Sequence, residues 1–504
     1  MASNIKMLLA ASGNSAAATG WYSWYSESNG SISQYMGHGW QEESDGTYTS
    51  RNAYRINDSL AGCHIREANI TAGTLESRFE YNANYTLYPD PIEDSALHYN
   101  ADDNAVYFNG RARGSFTGGT LVIAKYNAST GARIWQKTHP TGNNYNYCHT
   151  AFLSGGDPVI FFYWQDDSTN RKVSVCRLSK TDGSLTWSKT MAGVNESLTP
   201  NDIVVDSSDN IYTLSSYLNT PYHAHIQKHN ASGVFQSSKG LWNPNRAGSD
   251  PTEHMYGGKL FVDANDDLHC SVYRYHSGDG RANEVLHQNI IKVDMDAVSN
   301  VTVNTTEVRG GESNKSQGAA IHYFFYDTEN DLYYQTRNLN LNASSDYRYR
   351  RGIECYTSRQ FGGTSTLHWR LTAGTGTQSI GGNGAAYMSS WPTGFVWHCP
   401  LEGSYETFVI SPTLGDTDFP SVSSAVIDGV TWSAYNRTST VSVAGTTVYV
   451  ENPTYNLDSG YYRNLDYPVG STPSFSNSTT GTMTASTNDN AVDDEEFEAN
   501  LGTL

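Results

Sequence analysis

Two histidines with strand spacing are the first candidates for chemistry in this chain. His223 and His225 stand two residues apart, so a strand would place both imidazoles on one face, with His229 nearby. Such a His-x-His pair is a ligand set for a transition metal. No third or fourth ligand stands out, and the alternative of strand-face histidines without a metal is favoured. We therefore expect no metal, with His223 and His225 as the candidate ligands if one binds.

A second candidate is the acidic run that begins at Asp263. Asp263, Asn265 and Asp267 have the D-x-N-x-D spacing of a calcium loop. Leu268 stands where that loop needs glycine, and Arg274 stands where it needs a bidentate glutamate. The pattern favours a polar turn between two strands.

Known catalytic and cofactor motifs are not found in the sequence. It contains no GxSxG elbow, no HExxH pair, no Walker A loop, no CxxC pair and no strand-to-helix GxGxxG. Isolated acids are numerous, so a glycosidase carboxylate pair stays open as an alternative, but nothing singles out two of them. The sequence predicts a non-enzyme without catalytic residues and without a cofactor.

The composition indicates what kind of scaffold carries these residues. The chain has 504 residues, of which 38% are hydrophobic and only 16% charged, with a net charge of −19. Abundant Gly, Asn, Ser and Tyr suit short strands joined by turns and disfavour long exposed helices. The acidic balance argues against a nucleic-acid partner. No apolar stretch approaches the ~20 residues of a membrane span, so membrane insertion is not expected.

Two elements recur along the chain. The first is an Asp/Asn-rich turn that leads into an apolar strand, because Asp and Asn cap tight turns and tolerate left-handed backbone. Its copies are Asn100–Tyr107, Val205–Tyr212, Val262–His269 and Tyr326–Tyr333. The second is a hairpin with a Gly-containing turn and a large residue after it. Its copies are Leu121–Trp135 and Val173–Trp187, with weaker ones at His225–Phe235 and Asn289–Asp294.

The spacing of the repeats predicts the architecture. Matching strand positions fall near Tyr48, Val106, Val159, Ile211, Leu268, Leu332, Val396 and Val430. This spacing suits units of four strands with generous loops. We predict an all-β chain with a single β-propeller of about seven blades, with six or eight as alternatives and a solenoid less favoured. The predicted divisions are an N-terminal arm at 1–20, the propeller at 21–458 and a polar, acidic C-terminal arm at 459–504.

The N-terminal arm and the cysteines indicate whether the protein is secreted or stays in a reducing cytoplasm. The run that includes Lys6, Met7, Leu8 and Leu9 has about five apolar residues, short of the roughly 7–15 of a signal peptide, so we predict a docking arm. The cysteines lie far apart: Cys63, Cys148, Cys176, Cys270, Cys355 and Cys399. Disulfides are an open alternative, but isolated cysteines within apolar strand patterns favour free thiols.

The segment Asn127–Trp135 resembles the repeat of quinoprotein-like propellers, in which an Asp, a Thr-Gly turn and a Trp recur in each blade. Leu178–Trp187 is a looser match. The resemblance implies that the Trp packs between neighbouring blades and is architectural. The dehydrogenases of that family also carry a vicinal cysteine pair, which is lacking here, so quinone chemistry is not expected.

The chain as a whole is similar to virion structural proteins of marine tailed bacteriophages. The resemblance lies in the arm Ile5–Gly13, followed by Gly/Asn/Tyr-rich repeats such as Asp206–Tyr212. It implies a tail-associated virion component, assembled in the host cytoplasm. Its implied partners are portal, tail or capsid proteins, further copies of itself and a host-surface glycan. The aromatic residues Trp21, Tyr22, Trp24 and Tyr25 would serve as contacts, with blade packing as the alternative.

The alternative function is a secreted carbohydrate-binding or polysaccharide-degrading β-propeller. It predicts cleavage near Ala18, disulfides and glycosylation at sequons such as Asn69–Thr71 and Asn127–Ser129. A soluble intracellular scaffold is a further alternative.

Overall fold

The computed structural model describes strands and the tight turns between many of them. The turns are residues 103–104, 153–157, 179–184, 206–210, 230–234, 263–267, 294–296 and 328–331, with 130 and 132 as single positions. Side chains are described over parts of 100–296 and 324–334 and at Cys355, His368 and Ser476. This described part of the chain contains no helix, so no helical membrane span occurs in it.

The strands follow one another along the whole described chain. The first eighteen are β1 Gly20–Ser26, β2 Gln34–Glu42, β3 Tyr48–Asn57, β4 Leu60–Asn69, β5 Thr74–Asn84, β6 Leu87–Pro89, β7 Leu97–Asn100, β8 Ala105–Ala112, β9 Thr120–Asn127, β10 Arg133–Pro140, β11 Cys148–Phe152, β12 Pro158–Gln165, β13 Arg171–Leu178, β14 Leu185–Ala192, β15 Leu198–Val205, β16 Ile211–Tyr217, β17 His223–His229 and β18 Phe235–Trp242. The others are β19 Glu253–Val262, β20 Leu268–His276, β21 His287–Val293, β22 Val301–Thr305, β23 Val308–Arg309, β24 Ile321–Asp327, β25 Leu332–Asn340, β26 Tyr349–Thr357, β27 Ser365–Ala373, β28 Tyr387–Trp391, β29 Gly394–Leu401, β30 Tyr405–Ile410, β31 Ser424–Ile427, β32 Val430–Val441, β33 Thr446–Glu451, β34 Ser476–Asn477, β35 Met483–Ser486 and β36 Glu495–Ala499.

These strands form seven antiparallel sheets, numbered here along the chain. Sheet 1 has the order β2-β3-β4-β5-β35 and sheet 2 the order β6-β8-β9-β10-β34, with β7 also pairing with β8. Sheet 3 is β11-β12-β13-β14, sheet 4 is β15-β16-β17-β18-β33-β22 and sheet 5 is β19-β20-β21-β23. Sheet 6 is β24-β25-β26-β27-β32-β31 and sheet 7 is β28-β29-β30-β1-β36. Sheet 7 therefore combines three late strands with the first described strand.

The sheets are arranged so that their first strands meet. β11 contacts β15, β15 contacts β19, β19 contacts β24, β24 contacts β28, and β28 contacts β2. Seven of the eight strand positions predicted from the repeats lie in the second strand of seven different sheets: Tyr48 in β3, Val106 in β8, Val159 in β12, Ile211 in β16, Leu268 in β20, Leu332 in β25 and Val396 in β29. The eighth, Val430, begins β32, an additional strand of sheet 6. The repeat analysis thus identified the sheets.

The described core lies between neighbouring sheets. Strand β12 shows why, because its residues from Val159 to Trp164 are all buried although successive side chains point to opposite faces. Val159, Phe161 and Tyr163 pack with sheet 4, while Ile160 and Phe162 pack with sheet 2. A continuous apolar run is expected for a strand that is covered on both faces.

The Asp/Asn-rich repeats are hairpin turns between the first and second strands of a sheet, as predicted. In sheet 4, Asp206 Oδ1 accepts hydrogen bonds from the backbone N–H groups of Ser208 and Asn210, at 2.9 and 2.8 Å. Asp209 has a φ of 61°, which an Asp tolerates better than most residues. Tyr212 Oη donates to Asp206 Oδ2 at 2.9 Å, so the turn is tied to the following strand.

The same turn binds the neighbouring sheet. The Asp209 carboxylate accepts the backbone N–H and the hydroxyl of Ser154 in sheet 3, both at 2.7 Å. One sheet further on, the Asp266 carboxylate accepts the backbone N–H of Ser207 at 3.1 Å and also its hydroxyl. Asp209 and Asp266 therefore each join their own sheet to the preceding one.

The Gly-turn-Trp hairpins join the sheets in the opposite direction. Trp135 of sheet 2 donates from Nε1 to the carbonyl oxygen of Lys180 in sheet 3 at 3.1 Å. Its ring lies against Gly183, where a Cβ would be 2.7 Å from the indole. Trp187 of sheet 3 repeats the contact on sheet 4, with the carbonyl of Ala231 at 3.0 Å and Gly233 beneath the ring. The implication that this Trp packs between neighbouring sheets is confirmed for both hairpins.

Basic side chains on the third strands reinforce these joints. Lys125 Nζ donates to the same Lys180 carbonyl at 2.9 Å and pairs with Asp103 at 2.6 Å. Arg177 Nη1 donates to the Ala231 carbonyl at 3.1 Å, and its Nη2 pairs with Asp157 at 2.7 Å. The carbonyl oxygens of Lys180 and Ala231 thus each accept one hydrogen bond from an indole N–H and one from a charged side chain. A hydrogen bond from a charged donor is stronger than one from a neutral donor.

Replacing Gly233 by alanine tests this joint. The residue has a φ of 75°, and the new Cβ would lie 2.6 Å from Trp187. We expect Gly233→Ala to lower the free energy of unfolding by roughly 2–5 kcal/mol, from left-handed backbone strain and overpacking. The measurement is urea denaturation followed by tryptophan fluorescence.

The matched control is Gly155→Ala in the turn of sheet 3, because nothing lies within 4 Å of a Cβ at that glycine. It should change stability by no more than about 0.5 kcal/mol. Equal effects of the two substitutions would contradict the docking model.

Candidate functional site

The two ends of the sheets are built differently. Connections in an antiparallel meander alternate between the ends of a sheet. In sheet 3 the hydrogen-bonded turns 153–157 and 179–184 lie at one end, which we call the turn end. The opposite ends of the same strands lie at Cys148, Gln165, Arg171 and Ala192, and we call this the loop end. The inter-sheet joints described above use the turn end, and a different set of polar groups lies toward the loop end.

Asn109 and Thr150 begin a set of polar contacts on the first and second strands toward the loop end. Asn109 on β8 is 2% exposed and donates from Nδ2 to Thr150 Oγ1 on β11 at 2.9 Å. The same Nδ2 is 3.5 Å from the carbonyl oxygen of Cys148. The buried side-chain amide of Asn109 thus has a hydrogen-bond partner in the neighbouring sheet.

His149 and Asp202 continue the set across sheets 3 and 4. His149 Nδ1 lies 3.9 Å from Asp202 Oδ1, and the two side chains are 2% and 17% exposed. Asp202 Oδ2 accepts the backbone N–H of Leu260 on β19 at 2.8 Å. Asp202 therefore contacts both neighbouring sheets while its side chain stays partly exposed.

A third group lies between sheets 4 and 5. Ser216 Oγ donates to Asn201 Oδ1 at 2.7 Å and accepts the backbone N–H of Gly257 at 2.9 Å. Asn201 and Asp202 are adjacent on β15, at a point where the register with β16 shifts. A bulge of this kind re-aims side chains, and bulges are frequent next to binding sites.

This inner-strand polar set consists of Asn109, Thr150, His149, Asn201, Asp202 and Ser216. It combines amide, hydroxyl, imidazole and carboxylate groups without a cluster of basic side chains. Such groups can exchange hydrogen bonds with a polyhydroxylated ligand. No sequence motif marked these residues, and His149 is an isolated histidine next to an apolar strand pattern.

The histidines singled out from the sequence lie on β17, the third strand of sheet 4. His225 is 4% exposed and His229 is fully buried, while the side chain of His223 lies outside the described residues. Among the described side chains, no group of three or more His, Cys, Asp and Glu is placed to hold a metal ion. His225 and His229 are therefore buried inside the protein.

The calcium-like run forms the turn between β19 and β20. Asp263 Oδ1 accepts the backbone N–H groups of Asn265 and Asp267 at 2.8 and 3.0 Å. Its Oδ2 is 2.9 Å from His269 Nε2, and His269 Nδ1 is 2.8 Å from the hydroxyl of Tyr333 in sheet 6. Burial raises the pKa of Asp263, but these bonds outweigh it and the pKa is lowered. The turn prediction is confirmed, and the carboxylate is already bound by protein groups.

The other predicted contact residues are placed only partly. Lys6, Met7, Leu8 and Leu9 lie outside the described residues. The aromatic residues Trp21, Tyr22, Trp24 and Tyr25 belong to β1, whose backbone pairs with β30 on one side and β36 on the other. Their side chains are outside the described set, so their contact role stays a prediction.

Comparison with known proteins gives similarity of structure only. No family model matches the chain, and no curated protein matches it. A polysaccharide lyase of family PL25, an ulvan lyase, is similar with a TM-score of 0.46 and 9% identity over 79% of this chain and 96% of the lyase. The quinohemoprotein alcohol dehydrogenase from Comamonas testosteroni has a TM-score of 0.35 and 10% identity over 86% and 76%. An engineered GH43 glycoside hydrolase has a TM-score of 0.25 and 8% identity over 80% and 94%. At such TM-scores none of them assigns a family or an activity to this chain.

His229 makes stability depend on pH. Burial, and secondly the nearby Lys189 charge, lower the pKa of His229 from 6.5 to about 4. Below pH ~6.5 the unfolded chain binds a proton at this histidine that the folded chain does not bind until pH ~4. Stability should therefore fall by up to roughly 3 kcal/mol as the pH drops through this window.

The measurement is the urea midpoint of the protein and of His229→Gln across that pH window. The variant should show a shallower loss toward acid, with parallel behaviour above about pH 7. Identical slopes in the acidic window would show that His229 is not the responsible group.

Proposed function

We propose that the seven sheets close into a seven-bladed propeller whose loop end binds a neutral carbohydrate. Closure is supported by β1, which completes sheet 7 beside β30, and by the contacts of β28 with both β24 and β2. In such a ring the first strands face the central axis. The members of the inner-strand polar set on β11 and β15, His149, Thr150, Asn201 and Asp202, then lie toward that axis.

The observation that carries the proposal is the position of Asp202. Its side chain is 17% exposed and lies next to His149, and its carboxylate is oriented by the backbone N–H groups of Ile203 and Leu260. A carboxylate accepts hydrogen bonds and donates none, so it suits the hydroxyl groups of a sugar. The net charge of −19 disfavours anionic ligands, and this favours a neutral glycan. The proposal assigns binding and no reaction.

The test is titration calorimetry of the purified chain with xylo-, cello- and agaro-oligosaccharides, and with alginate oligosaccharides as the anionic comparison. Asp202→Asn keeps an oxygen acceptor for Leu260 but removes the charge. We expect it to weaken binding of a neutral oligosaccharide by about tenfold or more, since hydrogen bonds to charged groups contribute roughly 1.5–3 kcal/mol.

Thr181→Ala is the matched control, because Thr181 is exposed in a turn at the opposite end of sheet 3. It should leave the affinity unchanged. Failure of every neutral oligosaccharide to bind, or an equal loss in the Thr181 variant, would overturn the proposal.

The state of the cysteines favours a second candidate, a structural component of a tailed bacteriophage virion. Cys148, Cys176, Cys270 and Cys355 are buried free thiols, as the sequence predicted for all six cysteines. Burial raises the pKa of the Cys176 and Cys270 thiols well above the usual value, so they are unreactive. Assembly in a reducing cytoplasm fits this state better than secretion does.

Mass spectrometry of purified tailed phage particles tests this candidate. It should detect peptides from the arm at 1–20 and no glycans. Iodoacetamide should leave Cys176, Cys270 and Cys355 unmodified until denaturant is added. Recovery only as a processed, glycosylated, disulfide-bonded monomer would exclude a virion role.

A further inference from the structure

In sheet 7, the strand β1 would be an exposed edge strand if β36 did not pair with it. Strand β1 has the sequence GWYSWYS, with four aromatic residues and no charge. Without β36 it would be the outermost strand of sheet 7, because the order is β28-β29-β30-β1-β36. An exposed, uncharged edge strand is a template for pairing with another chain.

Strand β36 covers this edge along most of its length. Tyr22 to Ser26 are opposite Ala499 to Glu495 in an antiparallel register. Trp24 is directly opposite Phe497 in this register.

The new edge has a different composition from the one it replaces. β36 has the sequence EEFEA, and Asp493 and Asp494 precede it. Charged residues on an edge strand oppose pairing with further strands. Covering β1 with β36 therefore exchanges an aromatic edge for an acidic one.

Two other edges are covered by the same part of the chain. β34 pairs with β10, the fourth strand of sheet 2, and β35 pairs with β5, the fourth strand of sheet 1. In chain order, β34, β35 and β36 pair with sheets 2, 1 and 7. The strands β34, β35 and β36 thus each add an outer strand to one of three neighbouring sheets.

We propose that β36 is a clasp that secures the ring-closing strand β1 and prevents edge-to-edge association of sheet 7 with a second copy. The pairing with Tyr22–Ser26 secures the strand. The negative charges of Glu495, Glu496 and Glu498 oppose pairing of a further strand with this edge. This role is independent of any ligand at the loop end.

The first experiment compares the full chain with a chain that ends at Asn490, which removes β36 and keeps β34 and β35. Hydrogen exchange should become about tenfold or more faster at the β1 amides that face β36, with β12 and β13 of sheet 3 unchanged. Light scattering should give a higher mass than the full chain has at the same concentration. Unchanged exchange in β1 would overturn the proposal.

The second experiment keeps the strand and removes its charge. The variant Glu495→Gln, Glu496→Gln, Glu498→Gln should retain slow exchange in β1 but show the higher mass. Glu329→Gln, which neutralises an exposed carboxylate in the turn after β24, is the control and should behave as the full chain does. If the triple variant has the same mass as the full chain, the carboxylates do not guard the edge and the clasp proposal fails. If the shortened chain does not fold, the triple variant alone tests whether β36 prevents association of sheet 7 with a second copy.

Discussion

The contact on which this architecture depends is the docking of an indole ring against a glycine in the next sheet. Trp135 over Gly183 and Trp187 over Gly233 have the same geometry, with the indole N–H bound to a turn carbonyl. A sheet with two apolar faces cannot be stable alone, because both faces must be removed from water. The docking contact sets the distance and the orientation at which the next sheet covers that surface. The cores between sheets 2, 3 and 4 are built around it.

The joints between sheets change along the chain. Sheets 2 to 4 use the tryptophan contact together with Lys125 or Arg177. Sheet 4 has Phe235 near the corresponding place, 37% exposed, and its joint with sheet 5 relies on Asp266 and Ser207 and on the ion pair of Lys228 with Asp296 at 3.1 Å. Between sheets 5 and 6 the described contacts include the hydrogen bond of His269 with Tyr333 and the ring contact of Phe261 with Phe324. The same packing problem is thus solved with different chemistry, and this explains why the repeats become weaker along the sequence while the sheets continue.

The two ends of the sheets also separate the repeated motifs from the proposed binding site. The turn end carries the repeated motifs, and its polar groups are bound to turns and to neighbouring sheets. The inner-strand polar set lies toward the other end and has no repeat, since Asn109, His149 and Asp202 each come from a different sheet. Motifs that recur are expected to serve architecture, whereas a binding site needs a particular combination of groups in one place. The proposed carbohydrate site follows from that contrast.

The sequence by itself determined the all-β class, the turns and the approximate number of sheets. These features follow from local chemistry: Asp and Asn cap turns and accept left-handed backbone, and alternating apolar residues form strands. It also indicated the role of Trp135 and Trp187. The tertiary structure decided which residues meet across the sheets. His149 and Asp202 are more than fifty positions apart, and β1 and β36 lie at opposite ends of the described chain. Such pairs leave no periodic signal in a single sequence, because the contact between them exists only once the sheets have packed against one another.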